Sequence, residues 1–291
     1  ITILGKGFIG NYLSDNLDKI NPSHITEILT KKSHGYHKPH MFIQYIKDNR
    51  PDIIINACGY TGRPNVDACE DDKADCWDLN VNLPVNISTI CKLYSIPFIH
   101  VSSGCIYTGY DKEYTEEDEP NFGIGSDDSS WYSKTKHACE TILDIKRTYI
   151  LRVRMPFCAD NRDRSILSKV LNYNNLINMD NSMTCVEDFT IFISKFIEKI
   201  DSTGMSGGIF NVCNPGRINL KQITDIFKYN GIGNKLWNFV DIKDLELKAN
   251  RSNCVLDCTK ISKLNLNLPE VGISMEKCIS KLSKILLKRD D

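Results

Sequence analysis

The sequence predicts an α/β protein built on a doubly wound parallel sheet, with a smaller C-terminal lobe. Three observations support this prediction. Short apolar runs alternate with segments of helical periodicity over the first half of the chain, which is typical of parallel strands buried between helices. A glycine-rich turn directly follows the first run. Beyond Pro156 the alternation weakens, and this change indicates a separate lobe.

The predicted elements alternate along the first 154 residues. Strands are expected at residues 1–4, 25–29, 52–57, 97–101 and 149–153, each a largely apolar run. Helices are expected after the glycine turn, at 41–46, at 77–94 and around Tyr132, and a closing helix at 275–286. We therefore predict a sheet domain at residues 1–154, with a return strand near 208–213, and a lobe at 155–185 and 215–291.

The turn after the first strand has the pattern G-x-G-x-x-G. Glycines in this pattern allow a tight turn and let the backbone approach a pyrophosphate, which sits on the N-terminus of the following helix. An ordinary glycine turn is the alternative, and the position between a strand and a helix favours a dinucleotide site. The predicted cofactor-binding residues of this turn are Gly5, Gly7, Phe8, Ile9 and Gly10.

The end of the second predicted strand bears on the choice of cofactor. An NAD-selective site usually has an acidic residue there for the ribose 2′-hydroxyl. This chain has Lys31 and Lys32 between two hydroxyl residues instead. Two ammonium groups suit a 2′-phosphate, so we predict NADPH as the cofactor and residues 1–154 as an NADP-binding, Rossmann-type domain. Exposed loop lysines without a ligand are the alternative.

Ser103, Tyr132 and Lys136 are the predicted reaction centre. Tyr132 and Lys136 are four residues apart, so both lie on one face of a helix. A free phenol has a pKa of about 10, and we expect the ammonium to lower the pKa of Tyr132 towards the working range. Ser103 follows an apolar strand, at the sheet edge where ligands bind. This set suits proton exchange with a carbonyl or alcohol oxygen.

Composition limits the partners and the compartment. A formal net charge of -1 gives no electrostatic reason to expect nucleic acid, and no apolar stretch is long enough to span a bilayer. The 12 cysteines are scattered, with no Cys-x-x-Cys and no histidines at zinc-ligand spacing. We therefore expect no metal, reduced thiols and a cytoplasmic protein. Because Ile1 lies inside the first predicted strand, a few residues are expected to precede it.

The ordered set of glycine turn, Asn56-Ala57-Cys58-Gly59, Ser103 and Tyr132/Lys136 resembles the extended short-chain dehydrogenase/reductase superfamily. Asn56, Ala57 and Gly59 are then expected to contact the cofactor, as are Tyr132 and Lys136. Further strings resemble the bifunctional UDP-4-keto-6-deoxyglucose 3,5-epimerase/4-reductases of plant rhamnose synthases and giant viruses. They lie at residues 61–67, 104–106, 132–136, 151–156, 181–184 and 251–253. The glycine turn is one residue shorter than in that family.

This resemblance implies epimerisation at C3 and C5, followed by reduction at C4 with NADPH to give UDP-L-rhamnose. It assigns Cys105 and Lys169 as the two proton carriers, with either one as the base. A thiol needs a nearby cation to act as a base near neutral pH, and Lys169 is the expected cation. The residues expected to contact substrate are Arg63, Asn80, Ser103, Cys105, Asn181 and Arg251.

Alternative functions share this fold. A monofunctional dTDP-4-dehydrorhamnose reductase would need the Ser/Tyr/Lys set but not Cys105 or Lys169. A GDP-fucose-forming enzyme uses a downstream histidine, and none follows His137. A regulatory subunit without catalysis would not require Ser103, Tyr132 and Lys136 together. The resemblance further implies a homodimer in the cytoplasm (the host's, if the chain is viral) that acts after a UDP-glucose 4,6-dehydratase. UDP and dTDP substrates both stay open.

Overall fold

The computed structural model describes residues 1–63, 65–160, 164–233 and 235–287. Pro64, in the string at 61–67, lies outside these described residues, as do positions 161–163, 234 and 288–291 of the predicted lobe. Up to Val153 the elements are β1 (Thr2–Leu4), α1 (Phe8–Ile20), β2 (Glu27–Leu29), α2 (Lys31–His34), α3 (Pro39–Asn49), β3 (Ile54–Asn56), α4 (Ala68–Asp71), α5 (Lys73–Trp77), a π-helical turn (Asp78–Asn82), α6 (Leu83–Leu93), β4 (Phe98–Ser103), α7 (Trp131–Ile142) and β5 (Thr148–Val153).

The second half also contains short strands and helices. Its elements are α8 (Ile166–Asn172), β6 (Asn175–Ile177), β7 (Asn181–Met183), α9 (Val186–Thr203), β8 (Gly208–Asn211), β9 (Asn214–Ile218), α10 (Leu220–Tyr229), β10 (Asn238–Val240), a 3-10 turn (Ile242–Asp244), α11 (Thr259–Lys263) and α12 (Val271–Leu287). None of the described helices has the length and apolar character needed to cross a bilayer.

Six parallel strands form the central sheet in the order β2-β1-β3-β4-β5-β8. The chain leaves β1 for the outer strand β2 and then returns past β1 to β3. Strand order therefore reverses between β1 and β3, which is where ligands bind in open α/β sheets. The predicted Rossmann-type parallel sheet is confirmed, including β8 as the return strand.

Apolar side chains cover both faces of the sheet. On one face α1 and α9 contribute Leu13, Leu17, Phe189, Phe192 and Phe196. On the other face α3 and α6 contribute Phe42, Ile46, Ile87 and Ile90. Because each face carries helices, the four inner strands β1, β3, β4 and β5 are buried throughout, as their continuous apolar runs predict.

The smaller lobe has an apolar core of its own. Its members include Phe157, Leu167, Met183, Phe227, Met275 and Leu282. Residues 254–268 belong to the segment predicted for the lobe, but most of their buried apolar side chains pack in the sheet core instead. These are Cys254, Leu256, Cys258, Ile261, Leu266 and Leu268. The C-terminal segment is therefore shared between the two cores.

The helix predicted at 77–94 is interrupted by the π-helical turn at Asp78–Asn82. Pro84, at the start of α6, has no N–H to donate to the carbonyl of Asn80. A π-helical turn accommodates such a mismatch in the hydrogen-bond ladder, and such turns are frequent at functional sites. Here the turn carries Asn80, which is completely buried.

Candidate active site

The glycine turn lies between β1 and α1, at the reversal point of the sheet. Gly5 has a φ of +102°, a conformation that L side chains rarely adopt. A Cβ at Gly10 would lie 2.0 Å from the carbonyl oxygen of Gly5, whereas a Cβ at Gly7 would meet no atom within 4 Å. Gly5 and Gly10 therefore close the turn, and Gly7 leaves open space in front of the α1 N-terminus. Phe8 and Ile9 begin that helix and are half-buried.

Asn56 shapes the second turn at this sheet edge. Its Oδ1 accepts from the Cys58 backbone N–H at 3.1 Å, and its Nδ2 lies 3.0 Å from Nδ1 of His100. Asn56 and His100 are both fully buried. The side chain predicted to contact the cofactor thus holds the backbone of Ala57 and Cys58 in place. Sequence reasoning did not identify His100 as its partner.

Gly59, in the turn after β3, lies close to Asn80 of the π-helical turn and to Lys136 of α7. A Cβ there would lie 3.1 Å from Oδ1 of Asn80 and 3.4 Å from Nζ of Lys136. The Asn80 amide accepts from the backbone N–H of Tyr60 at 2.8 Å and donates to its carbonyl at 2.9 Å. It also donates to Thr135 Oγ1 at 3.0 Å. Through these bonds Asn80 positions the Gly59–Tyr60 backbone, and its expected contact with substrate stays a prediction.

Tyr132 and Lys136 lie on the buried face of α7, as their spacing predicts. Lys136 Nζ is 5.9 Å from the centroid of the Tyr132 ring. Burial raises the pKa of Tyr132, Cys105 raises it further, and a hydrogen bond with Ser103 opposes the increase. Burial also lowers the pKa of Lys136. The expected lowering of the Tyr132 pKa is therefore wrong for this structure, because the cost of burying a phenolate dominates.

Cys105 lies next to these groups. Its backbone N–H donates to Ser103 Oγ at 3.2 Å, and its half-buried side chain packs with Tyr132 in one apolar cluster. The cation at its sulfur is Arg154, whose Nη1 lies 3.7 Å from Sγ. Sequence reasoning named Lys169 as this cation and did not identify Arg154. The available signal was a charged residue in the motif at 151–156, immediately after an apolar strand.

Arg154 is 1% exposed and is held from several sides. Its guanidinium donates to the Gly104 carbonyl at 3.2 Å, to Ser252 Oγ at 2.9 Å and to the Ser252 carbonyl at 2.7 Å. It also donates to Oδ1 of Asn181, and the Asn181 amide donates to Met179 and Asn253. Asn181 is buried and orients Arg154 through this bond, and its expected contact with substrate stays a prediction.

Lys169 is half-buried on α8, and the charges that act on it among the described residues are those of two arginines. Burial lowers its pKa, and the charges of Arg164 and Arg251 lower it further. Arg164 Nη1 donates to Thr61 Oγ1 at 3.1 Å and to the Gly62 carbonyl at 2.8 Å, which ties the lobe to the segment after β3. Arg63, in the same segment, is exposed.

Arg251 is also tied to the segment after β3. Its guanidinium pairs with Asp67 and donates to the Ala249 carbonyl at 2.6 Å. A free arginine fork suits a diphosphate. In this structure that fork is occupied by a carboxylate of the same chain.

The lysines after β2 line a cavity of about 380 Å³. Lys31 and Lys32 begin α2, whose N-cap Thr30 accepts from the Ser33 N–H at 3.0 Å. The other lining residues are Ser33, Gly35, His37, Lys38 and Met41. Lys31 also lies 3.8 Å from Asp78 in an exposed pair. The cavity therefore offers three ammonium groups beside the reversal point of the sheet.

All 12 cysteines are free, and ten of them are buried. In the described part of the chain, one group of side chains has donor atoms close enough to surround an ion: Cys185, Glu187 and Cys278, within 4.8 Å of one another. Both thiols belong to the core of the lobe. None of these three residues belongs to the predicted reaction centre of Ser103, Tyr132 and Lys136. The expectation that the protein binds no metal stays a prediction.

Comparison with known proteins identifies the family of this chain. Residues 1–284 match the family described as the RmlD substrate binding domain. The chain belongs to this family. It is 31% identical over 251 residues to a bifunctional dTDP-4-dehydrorhamnose 3,5-epimerase/dTDP-4-dehydrorhamnose reductase of Arabidopsis thaliana, covering 82% of this chain and 80% of that protein.

Longer relatives of the RmlD family contain this region as one part. The chain is 32% identical over 230 residues to a trifunctional UDP-glucose 4,6-dehydratase/UDP-4-keto-6-deoxy-D-glucose 3,5-epimerase/UDP-4-keto-L-rhamnose-reductase of Arabidopsis thaliana. That match covers 75% of this chain and 33% of the relative, so the chain spans about a third of that protein's length.

Solved structures of the RmlD type share the fold. The L780 UDP-rhamnose synthase of Acanthamoeba polyphaga mimivirus superposes with a TM-score of 0.83 at 24% identity, covering 96% of this chain and 98% of that one. The dTDP-4-dehydrorhamnose reductase of Bacillus anthracis, solved in complex with NADP, gives a TM-score of 0.80 at 20% identity, covering 97% of both chains. Membership of this family supports the assignment of the chain as an enzyme of the nucleotide-sugar reductase type.

Proposed function

We propose that this chain epimerises UDP-4-keto-6-deoxy-D-glucose at C3 and C5 and then reduces C4 with NADPH, which gives UDP-L-rhamnose. The observation that carries the proposal is the position of Cys105. Its side chain packs beside Tyr132, and its N–H bonds to Ser103 Oγ at 3.2 Å. A reductase alone needs no thiol at this position, whereas an epimerase needs a proton carrier next to the ketone.

Ser103 and Tyr132 supply the donors that this chemistry requires. In a 4-keto sugar the hydrogens at C3 and C5 are both α to the carbonyl, so their removal leaves an enolate. Two hydroxyl donors aimed at one oxygen stabilise that charge as they would the ketone. Because the pKa of Tyr132 is raised by burial, its phenol stays protonated near neutral pH. It can therefore donate to the enolate oxygen and later protonate the C4 oxygen.

Inversion requires a second carrier on the opposite face of the sugar ring, and Lys169 is the proposed group. Its lowered pKa, caused by burial and by Arg164 and Arg251, brings its proton exchange closer to neutral pH. Lys169 and Cys105 come from separate elements, α8 and the turn after β4. Two carriers from separate elements can approach one sugar from different sides.

The described residues fit a bound NADPH. The open space at Gly7 would accept the pyrophosphate, and the cavity lined by Lys31, Lys32 and Lys38 would accept the 2′-phosphate. Lys136, held beside Gly59, would bind the nicotinamide ribose. When bound, this cofactor supplies the hydride for C4.

The test is incubation of the chain with UDP-4-keto-6-deoxyglucose in heavy water, first without NADPH and then with it. We expect deuterium at C3 and C5 before cofactor is added, and UDP-rhamnose afterwards. Cys105→Ala should lose the exchange, whereas Cys91→Ala, a buried thiol of the other sheet face, should keep it. NADPH oxidation only after a separate epimerase is added would identify a reductase without epimerase activity.

We further propose that the chain acts as a homodimer in the cytoplasm, on the product of a UDP-glucose 4,6-dehydratase. The support for the dehydratase is that the matched trifunctional relative carries that activity in its name. Dehydration of UDP-glucose produces the 4-keto group on which the proposed chemistry depends. Sedimentation at several concentrations would test the dimer.

A further inference from the structure

The cavity proposed for the 2′-phosphate is lined by a histidine, His37, as well as by lysines. This cavity lies next to the glycine turn, because the Gly5 N–H donates to the carbonyl of Leu29 at 3.1 Å and Leu29 is the last residue of β2. Lys31, which lines the cavity, begins the next helix, α2. The ribose of a cofactor whose pyrophosphate lies over the glycine turn would therefore face this cavity.

A tight turn holds His37 at the cavity. Gly35 ends α2 with a φ of +59°, and its carbonyl accepts from the Lys38 N–H at 2.8 Å. The two middle residues of this turn are Tyr36 and His37. Tyr36 is 2% exposed and packs in the apolar core that α3 and α6 form on one sheet face. Because Tyr36 is anchored in this core, its neighbour His37 is held in place at the cavity wall.

Two lysines and one carboxylate act on His37 in the described part of the chain. Its Nδ1 atom is buried and has no hydrogen-bond partner among the described residues. Burial is the largest cause of the lowered pKa of His37, and the charges of Lys31 and Lys38 lower this pKa further, whereas Asp78 opposes them. Asp78 is itself paired with Lys31 at 3.8 Å. The imidazole is therefore neutral at about pH 7 until an anion enters the cavity.

We propose that His37 takes up a proton when NADPH binds and that the resulting imidazolium holds the 2′-phosphate, so that the preference for NADPH over NADH increases as the pH falls towards neutrality. The proton comes from the solvent and adds to the unprotonated ring nitrogen, and no bond of the cofactor changes. A phosphate monoester carries close to two negative charges at about pH 7, which favours the charged form of a nearby histidine. Both nitrogens of an imidazolium are donors. This inference rests on the proposed function and identifies the group that couples the choice of cofactor to pH.

A cavity that holds the phosphate with ammonium groups only would show the opposite pH dependence. Ordinary ammonium groups stay charged below about pH 9, whereas a phosphate monoester loses its second charge below its pKa of about 6. Such a cavity would therefore prefer NADPH less strongly as the pH falls. A histidine that gains a proton on binding makes the preference rise instead, above about pH 6.5. The sign of the slope thus distinguishes the two arrangements.

The first test measures this slope. Binding of NADPH and of NADH is followed by fluorescence titration between about pH 6.5 and 8.5 for the native chain, His37→Asn and His40→Asn. His40→Asn is the matched control, because His40 is an exposed residue of α3. In the native chain and the control, the affinity ratio of NADPH to NADH should rise about fivefold or more as the pH falls. In His37→Asn the ratio should stay level or fall, with NADH affinity unchanged. A native slope in His37→Asn, or an equal loss of NADPH and NADH affinity, would overturn the inference.

The second test counts the proton directly. NADPH is titrated into each chain by calorimetry at about pH 7.5, where the phosphate is almost fully ionised, in two buffers with different enthalpies of ionisation. The difference in heat gives the number of protons taken up. We expect uptake with NADPH in the native chain and in His40→Asn, and almost none with NADH or in His37→Asn. Equal uptake in His37→Asn and the native chain, or no uptake in the native chain, would contradict the proposal.

These readouts do not depend on turnover, so a failure of the inference differs from a failure of the proposed function. If Lys31→Met weakens binding of NADPH relative to NADH but His37→Asn keeps the native slope, the cavity holds the phosphate and only the role of His37 is wrong. If neither change alters the ratio, the placement of the cofactor is wrong as well. Deuterium exchange at C3 and C5 is measured before NADPH is added, so it tests the epimerase independently of both outcomes.

Discussion

Arg251 holds Asp67 through two parallel hydrogen bonds, from Nη1 to Oδ1 at 2.7 Å and from Nη2 to Oδ2 at 2.8 Å. The Ala249 N–H adds a third bond to the same carboxylate at 3.1 Å. Asp67 lies in the segment after β3, and Arg251 lies far along the chain, shortly before Leu256, which forms an isolated β-bridge with Tyr114. The ion pair therefore links two distant segments of the chain close to Lys169. A diphosphate that binds Arg251 must compete with this carboxylate.

Replacement of Asp67 by Asn should therefore strengthen binding of UDP. The amide keeps the shape of the side chain but removes the charge that competes with the diphosphate, so we expect affinity to rise several-fold in isothermal calorimetry. Asp71→Asn is the matched control, because Asp71 pairs with Lys248 on the surface and should leave affinity unchanged. Unchanged affinity in both Asp67→Asn and Arg251→Met would show that Arg251 lies outside the diphosphate site.

The same pair predicts a pH dependence of stability. The hydrogen bonds from Arg251 lower the pKa of Asp67 in the folded state, more than burial raises it. A group with a lowered folded pKa stabilises the fold above its unfolded pKa of about 3.9, and this contribution is lost as the pH falls through the folded value. The melting temperatures of the native chain and Asp67→Asn should therefore converge below about pH 4. A constant difference down to acid pH would contradict this.

Gly7 and Gly10 should separate cofactor binding from folding. A Cβ at Gly10 overlaps the Gly5 carbonyl at 2.0 Å, so Gly10→Ala should lower the free energy of unfolding by about 3 kcal/mol. Gly7→Ala meets no protein atom within 4 Å and should leave stability nearly unchanged. It should nevertheless weaken NADPH binding in a fluorescence titration about tenfold, if the pyrophosphate lies over this turn. Native affinity in a folded Gly7→Ala chain would place the cofactor elsewhere.

The sequence was most informative where chemistry depends on local spacing. The glycine turn, the strand before Ser103 and the pair Tyr132/Lys136 are each contained within one or two adjacent elements, and the parallel fold followed from apolar runs. The partner of Cys105 could not be found in this way, because Arg154 lies 49 residues later in the chain, just after the neighbouring strand β5. The bonds of Asn80 to Tyr60 were missed for a related reason, since they depend on a π-helical turn.

Glu140 should be essential for stability although it does not touch the proposed substrate. Its carboxylate accepts from Arg152 and, at 2.6 Å, from Ser102 Oγ, all in the buried interior. Glu140→Gln would leave the Arg152 charge buried and uncompensated, so we expect a loss of about 3–5 kcal/mol in urea denaturation. Asp144→Asn, which breaks the exposed pair with Lys92, is the comparison and should change stability little. Similar effects of the two changes would contradict the buried-pair argument.

Arg164 should control the pH dependence of epimerisation through Lys169. Burial is the largest cause of the lowered pKa of Lys169, and the charge of Arg164 lowers this pKa further. Removal of that charge in Arg164→Gln should raise the pKa of Lys169, so the limb of the pH–rate profile that reports Lys169 should move to higher pH. If Lys169 is the acid, this is the alkaline limb, because activity is lost as the ammonium deprotonates.

A control is needed because Arg164 also holds Thr61 at 3.1 Å. Thr61→Val removes that hydrogen bond but keeps the charge, so it should change the rate without moving the limb. Deuterium exchange at C3 and C5, measured without NADPH across the pH range, isolates the proton-transfer step from reduction. If Thr61→Val and Arg164→Gln move the limb equally, the effect comes from the anchoring of this segment and not from the charge near Lys169.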